Sequence, residues 1–457
     1  MIMAENNTKF VPSLIVIATF LVFLDAYMIF DVPISWIGQL LLTLIALINF
    51  NQYKKIFENR VLKSVIILLV IPQIFTIFFE DFVNVDFFYL SLRYFNMLSF
   101  IIVFSFASNY EGTHKSESLK LNNLIKLFCT LYSLLVIYFF IAQIFDFYEP
   151  FRNRANTDLF KDSVQSTFWL SQPHRAMGTF REPSFLVTFF FPLVFLTTKF
   201  LKKTEVIFCL ITGIALGLTR SDLIRFFSFF IFLFVLYSWY KTKKINVNLS
   251  ILLFSIFLFS TYGVLECNLN PDSVDCIEFE EDVEKINGSG KINIKSNSTS
   301  SLIDIGIERT NIIKYFLNSF ESFNPDGFVS QNSNFQNYVS VDINNEMYLT
   351  NRTLPDYLLI RYSTQNFGTG NYSFLKYPIN VQNLIVFYTQ TFGIIFIVLL
   401  FIFLLDFIAK NRISINTVQF IMMIIFLSIS PIEEFNAYYG LLMGIFYKYA
   451  TGVTADV

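Results

Sequence analysis

Residues 174–184 read His-Arg-Ala-Met-Gly-Thr-Phe-Arg-Glu-Pro-Ser, a polar segment with two cations that runs straight into the apolar stretch Phe185 to Thr198. Pro183 suits the first turn of a helix, where its missing N–H costs nothing. Arg175 and Arg181 are thereby delivered to a helix N-terminus, whose backbone amides already favour anions. Such a place suits a phosphate-bearing ligand. Glu182 has two readings: a carboxylate favoured by the helix dipole, or a general base toward a hydroxyl.

Further cations join this set. Arg220, Asp222 and Arg225 form a tight turn between two apolar runs. There Asp222 either neutralises an arginine or caps the next helix. Arg93 sits in the apolar run Phe87 to Ala107, where a charge is expensive; it either serves an anionic ligand or snorkels to the interface. Together Arg93, Arg175, Arg181, Arg220 and Arg225 could line one anionic pocket. Arg309, Arg352 and Arg361 extend the series along a long polar segment. The chain has 2 histidines: His114 reads as a solvated loop residue, while His174 adjoins Arg175. Walker loops, dinucleotide fingerprints and metal-ligand clusters are lacking, so metal-independent chemistry without a cofactor is expected. Cys129 and Cys209 read as packing residues within spans. Cys267 and Cys276, at the start of the long segment, are a disulfide candidate if that segment meets an oxidising compartment.

These residues hang on a membrane scaffold. The 457 residues are 54% hydrophobic and 15% charged, with mean hydropathy +0.55. Apolar stretches of membrane-spanning length recur. Helices are predicted near 11–30, 33–50, 62–79, 87–107, 121–145, 182–198, 205–219, 224–240, 247–265, 381–408, 414–430 and 434–449. The fold class is an all-α polytopic membrane protein of about twelve transmembrane helices. Its parts are helices over 1–145, a first large outside loop 146–181, helices over 182–265, a second and largest outside loop 266–380, and helices with a short tail over 381–457. No cleavable signal peptide is evident at the first helix.

Lysine orients the scaffold. Alternate connections are basic, as at Lys54 and Lys55, Lys199 to Lys203, or Lys241 to Lys244, and these are placed in the cytoplasm with both termini. Of 21 lysines, 15 fall on that side, whereas of 12 arginines only Arg60 and Arg412 do. A planar guanidinium binds phosphate through two hydrogen bonds, which an ammonium does not. Arginine is therefore concentrated on the opposite face either for an anionic ligand or to balance the carboxylates there. Aromatics in the outside loops, such as Tyr148, Trp169 and Tyr362, suit sugar stacking and interface anchoring equally.

Arg175, Gly178, Thr179, Phe180, Glu182, Pro183 and Ser184 resemble the Arg-x-x-Gly-Thr-Phe-x-Glu-Pro-Ser segment of O-antigen polymerases and the related O-antigen ligases. Leu216 to Arg225, Leu-Gly-Leu-Thr-Arg-Ser-Asp-Leu-Ile-Arg, is similar to their next recurrent element. The resemblance implies a GT-C-like architecture in a bacterial inner membrane. It implies metal-independent glycosyl transfer on the periplasmic face, with undecaprenyl-diphosphate-linked glycan as donor and acceptor. A chain-length regulator and a flippase are the implied protein partners, and nucleic acid is not among them. Arg175 and Arg220 would contact the diphosphate, with Arg181 or Arg225 as alternates. The ligases carry a base histidine late in the large loop. Here 266–380 has no histidine, which favours polymerase over ligase and leaves Glu182 and His174 as the base candidates. A transporter or lipid flippase is the alternative from another class, although charges kept at one face sit poorly with it.

Overall fold

The computed structural model describes residues 10–29, 32–49, 87–110, 115–145, 147, 175–201, 204–269, 340–343, 347–350, 384–385, 388–389, 394–411, 414–431 and 435–451. The predicted helix 62–79 lies outside them, and every other predicted span falls on a described helix. In chain order these are α1 (Val11–Val22), α2 (Ile34–Ile48), α3 (Phe87–Asn109), α4 (Lys115–Phe145), α5 (Pro183–Phe200) and α6 (Val206–Gly217). There follow α7 (Asp222–Thr242), α8 (Val247–Leu269), α9 (Ile394–Asn411), α10 (Ile415–Ile429) and α11 (Ala437–Thr451).

The protein is a membrane-embedded helical bundle. Among the described residues, four helices are long and apolar enough to cross a bilayer: Ser91–Asn109, Leu119–Ala142, Pro183–Phe200 and Leu223–Thr242. Large apolar side chains also face outward, among them Leu40, Leu131, Phe229, Phe254 and Phe401. Water would penalise such a surface and lipid does not. Serine and threonine hydroxyls inside the helices fold back onto carbonyls one turn earlier, as Thr19 does to Ile15 O and Thr197 to Leu193 O. This local bond satisfies a donor that apolar surroundings would otherwise strand.

At the centre stands α5. Its residues from Leu186 to Thr198 are all buried, in keeping with a helix apolar on every side. Pro192 lacks the N–H that would bond the Thr188 carbonyl, and the Tyr438 hydroxyl donates to the adjacent Phe189 carbonyl at 2.6 Å. Around α5, close contacts run through glycines. A Cβ on Gly440 would lie 2.6 Å from Phe100 O, and one on Gly444 would lie 2.7 Å from Ala107 Cβ. Gly440 and Gly444 thus bring α11 against α3 at backbone distance, as small residues four apart do in membranes. Gly213 and Gly217 seat α6 on α8 in the same way, opposite Ser255 and Phe259.

These contacts fix relative directions. The Gly440–Phe100 and Gly444–Ala107 approaches advance together, so α3 and α11 run parallel. So do α6 and α8. Ring contacts Phe191–Phe227 and Phe195–Phe234 make α7 parallel to α5. Tyr132 meets Phe190, and Cys129 meets Thr197, so α4 is antiparallel to α5.

Several boundaries differ from expectation. The first span, read as 11–30, ends as helix at Val22; residues 23–27 turn away, and Met28–Ile29 pairs antiparallel with Val32–Pro33. A second hairpin joins Ser340–Ile343 to Met347–Thr350, so the fold is helical with two small hairpins rather than purely α. Helix α4 starts at Lys115, not 121, because polar helix formers precede its apolar face. Helix α8 continues to Leu269, so Cys267 belongs to a helical turn and not to the start of a loop.

Candidate functional site

The head of α5 is built as the sequence suggests and then tied down from elsewhere. Pro183 occupies the first turn and Glu182 the N-cap, with extended backbone (φ −141°, ψ 153°). The Glu182 carbonyl accepts the first helical bond, from Leu186 N at 3.2 Å. Upstream, Arg175 to Arg181 lies between two other segments. On one side Ala176 N donates to Leu218 O at 2.9 Å, and Arg175 Nε donates to Thr219 O at 3.1 Å. On the other, Ala26 N donates to Thr179 O at 3.1 Å, while the Thr179 hydroxyl donates to Phe23 O. Gly178 turns the chain at φ +57°, and a Cβ there would stand 3.0 Å from both Tyr132 Oη and Val136 Cγ2. Both the left-handed backbone and the lack of room require glycine.

The early break of α1 therefore has a purpose. Phe23 packs edge-on against Tyr132, Phe180, Phe190 and Tyr438, and brings Asp25 to the arginine segment. Arg181 Nε lies 3.5 Å from Asp25 Oδ2, and Ser35 Oγ donates to Asp25 Oδ1 at 3.2 Å. Sequence reading missed Asp25. Its signal was a lone carboxylate inside an apolar run.

Glu182 is held differently. Its side chain accepts no hydrogen bond from the backbone amides of α5; Ser184 Oγ donates to its Oε2 at 3.1 Å. Burial pushes its carboxyl above the usual range, while the Ser184 bond and the charges of Arg175 and Arg181 pull it back only in part. Burial thus outweighs the Ser184 bond and the charges of the two arginines. A carboxylate so placed is a stronger proton acceptor than an exposed one.

Arg220 adjoins this segment through the Leu218 and Thr219 carbonyls. Its φ of 47° is left-handed, and its N–H closes the end of α6 on Gly217 O at 3.0 Å. Glycine or asparagine normally fills such a place. An arginine there carries a backbone cost of about 1–2 kcal/mol, and an observed outlier of this kind points to its side chain as the reason.

The other expected residues distribute unevenly. Arg225 donates through Nη2 to Ser260 O at 3.0 Å, which ties α7 to α8. Arg93 is buried within α3, 8% exposed. Asp222 is the first residue of α7, and the N-cap position belongs to Ser221, with no side-chain cap bond. His174, Arg309, Arg352, Arg361 and Cys276 lie outside the described residues, as do Tyr148, Trp169 and Tyr362. Cys129 and Cys209 are buried free thiols. Among the described residues no cluster of His, Cys, Asp and Glu could hold a metal ion.

What comes together is Arg175, Arg181 and Glu182, with Arg220 on the adjoining strand of backbone and Asp25 opposite. Such a group can bind an anion and take up a proton at neighbouring points. Compared with family models, with curated proteins and with solved structures, the chain has no match.

Proposed function

We propose that the protein polymerises oligosaccharide repeat units carried on undecaprenyl diphosphate, at the outer face of a bacterial inner membrane. The observation that carries this reading is the cross-braced segment Arg175 to Glu182. Its guanidinium groups bracket a half-buried carboxyl at the head of the central helix.

In this reading Arg175 and Arg220 bind the diphosphate and stabilise the charge that grows on it as the glycosyl bond breaks. The attacking sugar hydroxyl forms the new carbon–oxygen bond, and its proton passes to Glu182, whose raised proton affinity suits that role. Undecaprenyl diphosphate leaves as the anion. The residues named suffice for these steps without a metal. Arg181, held by Asp25, lends positive charge beside the carboxyl.

The orientation rests on lysine. Lys199 and the Lys126–Glu205 ion pair lie at the end of the bundle opposite Arg175. The parallel pairs α3 with α11, α5 with α7 and α6 with α8 are the ones that alternating basic connections require. This supports the assignment of the arginine end to the outside.

Deleting the gene in its source cell and restoring it with wild type or Arg175→Ala tests the reading. A surface-polysaccharide ladder that collapses to single repeats and returns only with wild type supports polymerisation. Long polymer retained on its lipid carrier makes the protein a ligase. An unchanged ladder removes the glycosyl-transfer reading.

A further inference from the structure

At the end of the bundle opposite the arginines, α1, α3, α4 and α11 converge on a cavity of about 10 Å³. That is room for one water-sized group. Its walls are apolar, as at Ile15, Phe106 and Ile445, and its polar members are Tyr110, Asn122 and Lys448. Lys448 belongs to the last turn of α11 and is only 3% exposed. A lysine near the end of a membrane helix ordinarily carries its ammonium out to the interface. This one keeps it inside the protein, against the cavity.

Apolar surface continues outward from there. Leu14, next to Ile15, and Leu119, one turn before Asn122, are both exposed, as suits a face that lies against lipid chains. An ammonium set in apolar walls at the edge of such a face matches an amphipathic anion. One phosphate oxygen seats in the cavity, the rest of the headgroup stays at its mouth, and the acyl chains lie along α1 and α4. Basic pockets between transmembrane helices hold anionic headgroups in this manner. Lys199 on α5 stands at the same end but outside the cavity, with Nζ 5.0 Å from the Tyr449 ring centroid and 5.7 Å from that of Phe446.

We propose that Lys448, with Asn122 and Tyr110, binds the headgroup phosphate of an anionic phospholipid. The ammonium donates to a phosphate oxygen, and the amide and phenol supply further donors. In the orientation proposed above the lipid belongs to the cytoplasmic leaflet, but the site does not depend on the glycosyl-transfer reading. Ala107 is part of the cavity wall and is also the residue that Gly444 meets. A lipid held here therefore clamps the seam between α3 and α11 from the lysine end.

Wild type, Lys448→Met and Lys199→Met, purified in nanodiscs of phosphatidylcholine alone or mixed with phosphatidylglycerol, test it. Native mass spectrometry counts the lipid retained, and a thermal scan gives the midpoint in each mixture. Wild type is expected to retain phosphatidylglycerol over phosphatidylcholine by about tenfold, as a hydrogen bond to a charged group allows, and to melt higher in the mixture. Lys448→Met loses both the preference and the rise. Lys199→Met removes the same charge outside the cavity and keeps both. Each readout is a difference between two lipid mixtures, so a variant less stable in both still reports, and the wild-type comparison stands even if Lys448→Met does not fold. No preference in wild type leaves the cavity to a water and overturns the site. A preference that survives Lys448→Met overturns it too, as does an equal loss in both variants, which is general attraction to a basic end. A rise produced by inorganic phosphate in phosphatidylcholine discs overturns the lipid as the source of the phosphate.

Discussion

The Tyr132 hydroxyl lies 2.7 Å from the Thr179 hydroxyl, across 47 residues of chain. Thr179 spends its one hydrogen on the Phe23 carbonyl, so Tyr132 is the donor in this pair. One threonine thereby joins α4, the end of α1 and the arginine segment. Thr179→Val strands both partners and should cost about 2–4 kcal/mol. Tyr132→Phe removes a single donor and should cost about 1 kcal/mol. Chemical unfolding of the purified variants measures both, and equal losses would contradict the shared-hydroxyl arrangement.

Gly178→Ala puts a methyl group 3.0 Å from Tyr132 Oη at a left-handed backbone position. The expected cost is about 1–2 kcal/mol, with chain elongation lost while the protein still reaches the membrane. A variant that elongates normally would show that the turn tolerates displacement.

At Arg220 backbone and side chain pull in opposite directions. Arg220→Gly relieves the left-handed strain and should be about 1 kcal/mol more stable than Arg220→Ala. Both should lose chain elongation, because neither carries the guanidinium. Thermal midpoints and polysaccharide ladders of the two variants decide this. An active glycine variant would make Arg220 a cap and nothing more.

Glu182 sets a pH dependence. Burial raises its folded-state carboxyl above the ordinary value of 4.5. Below that value the group is protonated in folded and unfolded chains alike, and it costs nothing. As pH rises, the unfolded chain ionises first, so stability is lost until the folded-state value is passed. Glu182→Gln should therefore be more stable than wild type at neutral pH, and the gain should vanish in acid. Unfolding midpoints taken across that range test the sign. A glutamine variant less stable at neutral pH would mean that the arginines dominate after all.

Gly444→Leu pushes a side chain into the Phe104 carbonyl and Ala107. Overpacking of this kind costs about 1–3 kcal/mol in well-packed interiors, and backbone-to-backbone contact leaves little room for relief. The variant should fail to accumulate, as an immunoblot of membranes would show. Normal accumulation would mean that α3 and α11 can part.

Local chemistry was readable in the chain and long-range pairing was not. Pro183 and Glu182 mark the start of α5 because a helix terminus is specified within a few residues. Past the end of α1 at Val22 the Phe23 carbonyl is taken by Thr179, more than 150 residues away. The local sign of that break is the lone carboxylate of Asp25, whose partner Arg181 is equally distant in the chain. Ser221 and Asp222 are both competent caps, and only the backbone decides between them. Arg225 looks like Arg175 in sequence, yet its guanidinium reaches the Ser260 carbonyl one helix away. The glycine pairs on α6 and α11 stand four apart in the sequence, but nothing in it names the helices they meet.

Helix α11 follows every other described helix in chain order, yet it sits against α3, α5 and α10. During biosynthesis the groove on α3 stays open until residue 451 has been made. The segments near residues 25, 175–182 and 220 already bind one another, and α11 then packs on α5 beneath them. A ribosome-bound fragment that lacks α11 already carries Arg93, Arg175, Arg181, Arg220 and Arg225, but its α3 lacks the close backbone contact of Gly440 and Gly444. On the glycosyl-transfer proposal, competence would thus arrive only with the closing of the bundle.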